Sequence, residues 1–245
     1  MPPELSNDCC ARPDVTALIL AAGSGTRLGG IAKATLEYQG GSLLQHAIAL
    51  VAPFAGHIIV GTRAQDLDWA QEQCRRVTTD CSVTCVTGGA TRQESLERLL
   101  DAAQTEFLIV HEVARPWVEP DVFRQLLCEL RECSAVALYT PLPVRDGLAL
   151  MEDRELKASL PRANVVSVQT PQVYRRAALR HAYALAKRHG WQEESTIALM
   201  ARAKARMRLI EGSPQNVKVT YPEDLAPLRM LSAAPTLAGA QQASG

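Results

Sequence analysis

The sequence predicts an α/β fold of three layers, in which helices cover both faces of a mainly parallel β-sheet. Three observations lead to this fold. Short apolar runs, typical of strands, alternate along the chain with longer amphipathic runs, typical of helices. The first apolar run, "TALILAAG", is apolar on both faces, as a central parallel strand requires. Hydrophobic residues make up 47% of the 245 residues, which is enough to build one large core.

The predicted elements follow one another from residue 16 to residue 231. Apolar runs predict strands over residues 16–21, 57–61, 82–86, 107–111, 135–140, 165–170 and 206–210. Amphipathic runs predict helices over residues 43–51, 64–76, 91–103, 119–132, 175–188, 195–205 and 222–231. In the run 91–103, for example, Leu96, Leu99 and Leu100 are spaced i, i+3 and i+4 and form one apolar stripe. This alternation favours parallel pairing of most strands.

Residues 141–161 interrupt the alternation. The segment "PLPVRDGLALMEDRELKASLP" has three prolines, many charges and two short apolar patches, which predicts a protruding β-hairpin arm. Its leucines need burial, because an isolated hairpin is marginal in water: Leu148, Leu150, Leu156 and Leu160. Packing two arms around a two-fold axis would bury them, so we expect a homodimer. The predicted domain spans residues 15–231, and residues 1–14 and 232–245 are predicted to be disordered.

Composition and charge exclude several classes of protein. With 26 basic and 26 acidic residues the formal net charge is zero, so no overall basic field favours nucleic acid or an anionic membrane. No run approaches the ~18 apolar residues of a membrane span, and the N-terminus lacks the apolar core of a signal peptide. The seven cysteines contain no CxxC pair, which argues against a disulfide framework or a zinc site. We interpret Cys81 and Cys85 as buried, reduced thiols and expect the protein in the cytoplasm.

A glycine-rich bend follows the first strand and predicts an anion site. In "GSG" the missing Cβ atoms let backbone N–H groups approach a phosphate closely, although a purely structural βα turn would use similar glycines. The dinucleotide-binding pattern is not met, because Gly23, Gly25 and Gly29 are spaced GxGxxxG and no acidic residue ends a second strand. Arg27 and Lys33 bracket the loop with no acidic residue among them, which favours a polyphosphate ligand.

Separate motifs in register indicate a family. The stretch "AAGSGTRLG" with Lys33 resembles the nucleotide-binding signature of the sugar- and polyol-phosphate nucleotidyltransferases. The segments "GGATRQESL", "VHEVARP", "VQTPQ" and "EGSPQNVKVTYPEDL" follow in the order and spacing of 2-C-methyl-D-erythritol 4-phosphate cytidylyltransferase, and the resemblance covers about residues 16–231. It implies a Rossmann-like nucleotidyltransferase sheet with an arm that joins a homodimer. The implied activity is transfer of CMP from CTP to the polyol phosphate, with release of pyrophosphate, in the non-mevalonate pathway to isoprenoids.

The resemblance also implies roles for residues on the CTP side. The residues that would cradle the triphosphate with their backbones are Ala21, Ala22, Gly23 and Gly25. Arg27 and Lys33 would stabilise the charge that builds on the α- and β-phosphates. The residues that would hold the cytosine and ribose are Gly89, Ala90, Arg92 and Ser95, of which the first two would select a pyrimidine through backbone contacts.

On the acceptor side, the resemblance implies binding by Glu112, Arg115, Arg162 and Thr170. Glu112 would hold either Mg²⁺ or the acceptor hydroxyls, and Lys218 would meet the acceptor phosphate or the α-phosphate. Arg162 would serve the site of the neighbouring subunit, because the arm crosses to it in the family. His111 points to the opposite face of its strand from Glu112, so we interpret it as structural.

Departures from the family pattern gather on the acceptor side. The family has aspartate where Glu112 stands and threonine where Gly147 stands, and its acidic segment before the penultimate helix becomes "QEESTIAL". These changes leave open a cytidylyltransferase for another polyol phosphate, such as ribitol 5-phosphate. From a different class, a nucleotide-binding module without catalysis is a further alternative. The cations retained at four positions argue against that module: Arg27, Lys33, Arg115 and Lys218.

Overall fold

The structure is a computed structural model that describes residues 13 to 232. The strands are β1 (Val15–Leu20), β2 (Glu37–Tyr38), β3 (Gly41–Ser42), β4 (His57–Thr62), β5 (Ser82–Thr87), β6 (Phe107–Glu112), β7 (Ala135–Pro141), β8 (Leu148–Glu152), β9 (Glu155–Leu160), β10 (Val166–Arg175) and β11 (Met207–Glu211). The α-helices are α1 (Leu43–Val51), α2 (Leu67–Arg75), α3 (Arg92–Ala102), α4 (Asp121–Glu129), α5 (Arg176–His189), α6 (Thr196–Arg202) and α7 (Leu225–Ser232).

Seven of these strands form one sheet, in the order β11-β7-β10-β6-β1-β4-β5. Neighbouring strands pair in parallel except around β10, which runs antiparallel to both β6 and β7. At the centre, β1 and β6 lie side by side with Leu20 opposite Glu112. The chain therefore leaves both strands at adjacent points of one sheet edge. Ligands of open α/β sheets bind at the carboxyl ends of such strands.

Buried side chains cover both faces of the sheet, which confirms the three-layer arrangement. On one face, Ile19 of β1 belongs to a core shared with α1, α2 and α4, where Phe123 is fully buried. On the other face, Leu18 of β1 belongs to a core shared with α3, α5 and α6, where Leu99 is fully buried. The central strand is apolar on both faces for this reason, as its sequence predicts.

The predicted elements are confirmed, with differences at their ends. The helix predicted over 64–76 begins with a 3₁₀ turn, Ala64–Asp66, before α2 starts at Leu67. The strand predicted over 165–170 continues to Arg175 as β10. Helix α1 has its predicted bounds, because Ser42 and Gln45 form a reciprocal capping box at its start. The two-residue strands β2 and β3 were not predicted, since so short a pair has no periodicity to detect.

The predicted arm is the antiparallel hairpin of β8 and β9. Leu148 and Leu160 are partly buried, but three large apolar side chains of the hairpin are not covered by the rest of the chain. Leu150 is 55% exposed, Met151 is 66% exposed and Leu156 is 71% exposed. The arm thus presents an apolar surface on an otherwise polar hairpin.

The predicted disordered segments, residues 1–14 and 232–245, lie outside the described residues except for Pro13, Asp14 and Ser232. Within residues 13 to 232, no helix combines the length and the apolar character needed to span a membrane. The five cysteines of this range are free thiols. Cys81 is buried as predicted, whereas Cys85 is only partly buried, because β5 is an edge strand of the sheet.

Candidate active site

A cleft of about 360 Å³ opens at the carboxyl ends of β1, β5 and β6. It is bordered by the loop after β1, the start of α3, the end of β6 and two lysines that come from more distant segments. Twelve of the fifteen residues predicted for the site line this cleft: Ala21, Ala22, Gly23, Gly25, Arg27, Lys33, Gly89, Ala90, Arg92, Ser95, Glu112 and Lys218. The fold therefore brings together segments that lie up to about two hundred residues apart in the chain.

The loop after β1 needs glycine at one position for its own geometry. Gly25 has a positive φ of 63°, and a Cβ there would lie 1.8 Å from the carbonyl oxygen of Ile31. At Gly23, by contrast, a Cβ would meet nothing within 4 Å. Packing within the chain does not require glycine at Gly23, so the open space beside it is available to a ligand that approaches the backbone closely.

Three cations converge on this loop. Burial lowers the pKa of Lys33, and the positive charges of Lys218 and Arg27 lower it further. Arg27 lies over the ring of Tyr221, with its guanidinium carbon 5.4 Å from the ring centroid. Like charges held together in a partly buried cleft repel one another, and a polyanion between them would relieve that repulsion.

The loop between β5 and α3 is braced by its own side chains. Ser95 Oγ accepts a hydrogen bond from the Gly89 N–H at 3.1 Å and donates one to the Thr91 carbonyl at 2.8 Å. Glu94 accepts from the Ala90 N–H at 2.9 Å. Ser95 is buried, so it holds the loop in shape and does not lie on the open helix surface. The N–H groups of Gly89 and Ala90 are therefore both engaged within the loop.

Glu112 lies at the centre of a charge network at the end of β6. Its Oε1 accepts from Arg92 Nε at 3.0 Å, and its Oε2 lies 2.6 Å from Lys218 Nζ and 3.9 Å from Arg115 Nε. Burial would raise the pKa of Glu112, but the charges of Lys218 and Arg92 outweigh burial and hold it at about 2. The Glu112 carboxylate therefore stays ionised and holds Arg92 and Lys218 at the rim of the cleft.

Three predicted site residues do not line the cleft. Thr170, on β10, accepts a hydrogen bond from the Glu112 N–H at 3.2 Å. Arg115 is partly buried and donates to the Asn216 carbonyl at 2.6 Å. Both residues thus contact Glu112 without lining the cleft themselves. Arg162 is exposed and donates to the main chain of the arm at 3.3 Å, so it is not part of the cleft in its own subunit.

Comparison with known proteins identifies the family. A family model for 2-C-methyl-D-erythritol 4-phosphate cytidylyltransferase matches residues 15–231. The chain belongs to this family. The cytidylyltransferase of Deinococcus radiodurans is 37% identical over 215 residues, which cover 87% of this chain and 88% of that protein. The cytidylyltransferase of Thermus thermophilus is 35% identical over 212 residues, which cover 86% of this chain and 94% of that protein.

Solved structures agree with this assignment. The crystal structure of the cytidylyltransferase from Thermus thermophilus superposes with a TM-score of 0.72 at 30% identity, over 90% of this chain and 99% of that one. The crystal structure of 4-diphosphocytidyl-2C-methyl-D-erythritol synthase from Anaerococcus prevotii has the same fold, with a TM-score of 0.77 at 22% identity, over 91% and 98% of the two chains. The chain is thus a cytidylyltransferase enzyme of the non-mevalonate pathway.

Three residues that support the cytidylyltransferase cleft were not singled out in the sequence. Thr196 accepts a hydrogen bond from Arg92 at 2.7 Å. The side-chain amide of Asn216 donates to the Thr170 carbonyl at 2.9 Å. Tyr221 lies beneath the loop arginine. All three occur in segments quoted above, but a polar residue acquires its partner only when distant segments meet, so the spacing alone could not assign these roles.

The departures from the family pattern have local consequences. A side chain at Gly147 would meet nothing within 4 Å, so packing does not force the loss of threonine there. In the segment "QEESTIAL", Ser195 caps α6 by accepting from the Ala198 N–H, and Glu193 pairs with Arg202 at 2.6 Å. The altered acidic segment therefore serves to start and fix α6.

The described residues of the cleft do not form a preformed metal site. Among the described residues, no group of three or more His, Cys, Asp or Glu side chains is placed to hold a metal ion. Within the part of the chain that the structure describes, Glu112 is the only carboxylate that lines the cleft, and both of its oxygens already face cations. Mg²⁺ needs near-octahedral oxygen ligands, which the side chains in this arrangement do not supply.

Proposed function

We propose that the cleft at the ends of β1 and β6 transfers CMP from CTP to 2-C-methyl-D-erythritol 4-phosphate. The observation that carries this proposal is the convergence of Arg27, Lys33 and Lys218 on a glycine loop, with the pKa of Lys33 lowered by burial and by its neighbours. A triphosphate relieves that repulsion. The acceptor brings its own phosphate oxygen as nucleophile, so the reaction needs no nucleophilic side chain from the protein.

The chemistry follows from charge and position. A phosphate oxygen of the acceptor attacks the α-phosphorus of CTP, and the bond from that phosphorus to the bridging oxygen breaks, so pyrophosphate leaves. Negative charge builds on the α-phosphate oxygens and on the leaving group, where Arg27 and Lys33 neutralise it. Lys218, held by Glu112 at 2.6 Å, lies at the rim where the acceptor phosphate meets the α-phosphate.

The loop between β5 and α3 favours cytosine over uracil. The N–H groups of Gly89 and Ala90 are used within the loop, so the base would be read by carbonyl acceptors. The Gly89 carbonyl accepts from Ser95 at 3.3 Å and keeps one lone pair for this purpose. Cytosine presents an amino donor at the position where uracil presents a carbonyl oxygen. A polar group that is left without a partner costs about 1–3 kcal/mol, which is enough to select CTP.

We further propose that Mg²⁺ enters the cleft on the phosphates of CTP. Among the described residues, the cleft offers four cations, Arg27, Lys33, Arg92 and Lys218, and one carboxylate, Glu112. This charge does not balance a triphosphate and an acceptor phosphate together. A nucleotide-borne divalent cation fits both that imbalance and the lack of a preformed carboxylate site.

We propose that the enzyme is an isologous homodimer joined by its arms. Support comes from the exposed apolar side chains Leu150, Met151 and Leu156, which a second arm would cover. Arg162 lies at the base of the arm, outside the cleft of its own subunit. In the dimer it would complete the acceptor pocket of the partner subunit.

Pyrophosphate release tests the activity. The protein is assayed with each of CTP, UTP, ATP and GTP, and with a panel of polyol phosphates that includes ribitol 5-phosphate. We expect release only with CTP, and fastest with the methylerythritol phosphate. Equal turnover with ATP would refute the base selection, and faster turnover with ribitol 5-phosphate would replace the acceptor. If CTP binds but no polyol phosphate gives release, the cleft is only a nucleotide-binding module.

Subunit mixing tests the composite site. The variants Lys33→Ala and Arg162→Ala are each expected to have little activity alone. After subunit exchange, one site of each heterodimer contains both native residues, so activity should recover toward half of the wild-type value per heterodimer. Exchange without recovery, or a monomer in sedimentation at working concentration, would exclude the shared site. Mixing each variant with Lys187→Ala, an exposed position on α5, is the control and should leave the total activity unchanged, because exchange then keeps the number of complete sites constant.

A further inference from the structure

Two thiols outside the cleft lie within reach of each other. Cys74 is in the last turn of α2 and Cys85 is on β5, and their sulfur atoms are 3.4 Å apart. A disulfide bond is about 2.05 Å long, so the two sulfurs need to approach by only about 1.4 Å. The third thiol nearby, Cys81, is held apart, because its sulfur donates to the carbonyls of Ala52 and Ala55.

The two thiols differ in access and in acidity. Both border a concavity on the protein surface, and Cys85 is partly exposed while Cys74 is 8% exposed. The S–H group of Cys74 lowers the pKa of Cys85, burial opposes this effect, and the positive charge of Arg75 lowers the pKa further. Reactive cysteines have this combination of solvent access and a stabilised thiolate. Cys85 is therefore the attacking sulfur, and Cys74 is the resolving one.

We propose that Cys74 and Cys85 are a reversible redox pair, which closes to an intramolecular disulfide when the protein meets a small disulfide such as oxidised glutathione. The Cys85 thiolate attacks one sulfur of oxidised glutathione, forming a mixed disulfide and releasing one glutathione thiolate. Cys74 then loses its proton to solvent and attacks Cys85 Sγ, releasing the second glutathione. Two protein thiols are oxidised, and one oxidised glutathione is reduced to two glutathione molecules.

The bond has a consequence for the edge of the sheet. Within residues 13 to 232, strand β5 has a sheet partner on one side only, β4, and it leads directly into the loop that precedes α3. A link from Cys85 to α2 fixes this edge strand covalently to the helix that packs on it. The link also protects Cys85 from oxidation to the sulfinic or sulfonic acid, and thiols do not reverse either of these states.

Peptide mapping of the full chain tests the pair. The native protein is incubated with oxidised glutathione, free thiols are blocked, and the protein is digested with trypsin without reduction. Cleavage separates residues 64–75, which contain Cys74, from residues 77–92, which contain Cys81 and Cys85. We expect these two peptides to be joined, with a mass two hydrogens below their sum, and to separate on treatment with dithiothreitol. Fragment spectra of the wild-type peptide pair place the bond at Cys85.

Matched variants complete the experiment. Cys81→Ser should retain the joined peptides, and Cys85→Ser should abolish them. Cys128→Ser, a partly buried thiol on α4, is the control for general oxidation and should also retain them. A bond through Cys81, glutathione left on Cys85 without closure, or no joined peptides would overturn the proposal. The wild-type spectra decide the question even if a variant fails to fold.

Discussion

The buried histidine near the end of β6 makes the stability of this protein depend on pH. His111 is 1% exposed, and neither ring nitrogen makes a well-formed hydrogen bond among the described residues, although the nearby backbone of Arg115 raises its pKa slightly. Its ring packs edge-on against Phe123, with 5.9 Å between the ring centroids. Burial lowers the pKa of His111 to about 3 from an ordinary value of 6.5, with Glu112 raising it and Arg115 lowering it by smaller amounts.

The sign and size of the effect follow from this pKa. Below pH 6.5 the unfolded chain binds a proton at His111, whereas the folded protein does not bind one until about pH 3. His111 therefore leaves the free energy of unfolding unchanged above pH 6.5. As the pH falls from 6.5 toward 3, protonation of His111 in the unfolded chain lowers the free energy of unfolding. At pH 5 the loss is about 2 kcal/mol, at about 1.4 kcal/mol per pH unit below 6.5. His46, whose pKa burial also lowers, changes stability in the same direction.

The substitution His111→Leu isolates this effect. Leucine is apolar and of similar size, and it leaves no unpaired polar group in the pocket. Urea unfolding at pH 7.5 and pH 5 measures the free energy of unfolding of the wild-type protein and the variant. We expect the wild-type value to fall by about 2 kcal/mol more than the variant value. His57→Gln, at an exposed position, is the control and should behave as the wild type. An equal fall in His111→Leu would refute the reasoning.

Three further predictions concern the cleft. Arg27→Ala and Lys33→Ala should each lower kcat by about 10²–10³-fold with little change in Tm, because each removes a preorganised charge. Lys187→Ala is the control and should keep the wild-type kcat. A near-normal kcat in Arg27→Ala or Lys33→Ala would exclude the role of that residue in neutralising phosphate charge. Glu112→Gln should lower the free energy of unfolding at pH 7.5 by up to about 3 kcal/mol, since its pKa falls from 4.5 to about 2 on folding. Pyrophosphate should then raise the Tm of Glu112→Gln more than that of the wild type, and an equal rise would contradict the counter-ion role. Gly25→Ala should abolish CTP binding in calorimetry, because its Cβ would lie 1.8 Å from a carbonyl oxygen; unchanged affinity would mean that the loop adapts.

The sequence by itself determined the layered fold and most of the cleft. Hydrophobic periodicity is a local property, so strands such as β1 and helices such as α1 could be located from their own residues. The glycine loop and its two cations, Arg27 and Lys33, are close in the chain, and their chemistry is readable without a structure. The motifs around Glu112 and Lys218 were recognised because their residue types and order resemble a known family.

Only the tertiary structure decided which partner each polar group has. Glu112 is bound by Arg92 and Lys218, which lie in other segments, and that contact changes its role from an open carboxylate to a counter-ion. The backbone N–H groups of Gly89 and Ala90 prove to be engaged within their own loop. Hydrogen bonds and ion pairs form at about 3 Å between groups that folding brings together. Residue order does not specify such distances, because they depend on how β1, β6 and α3 pack.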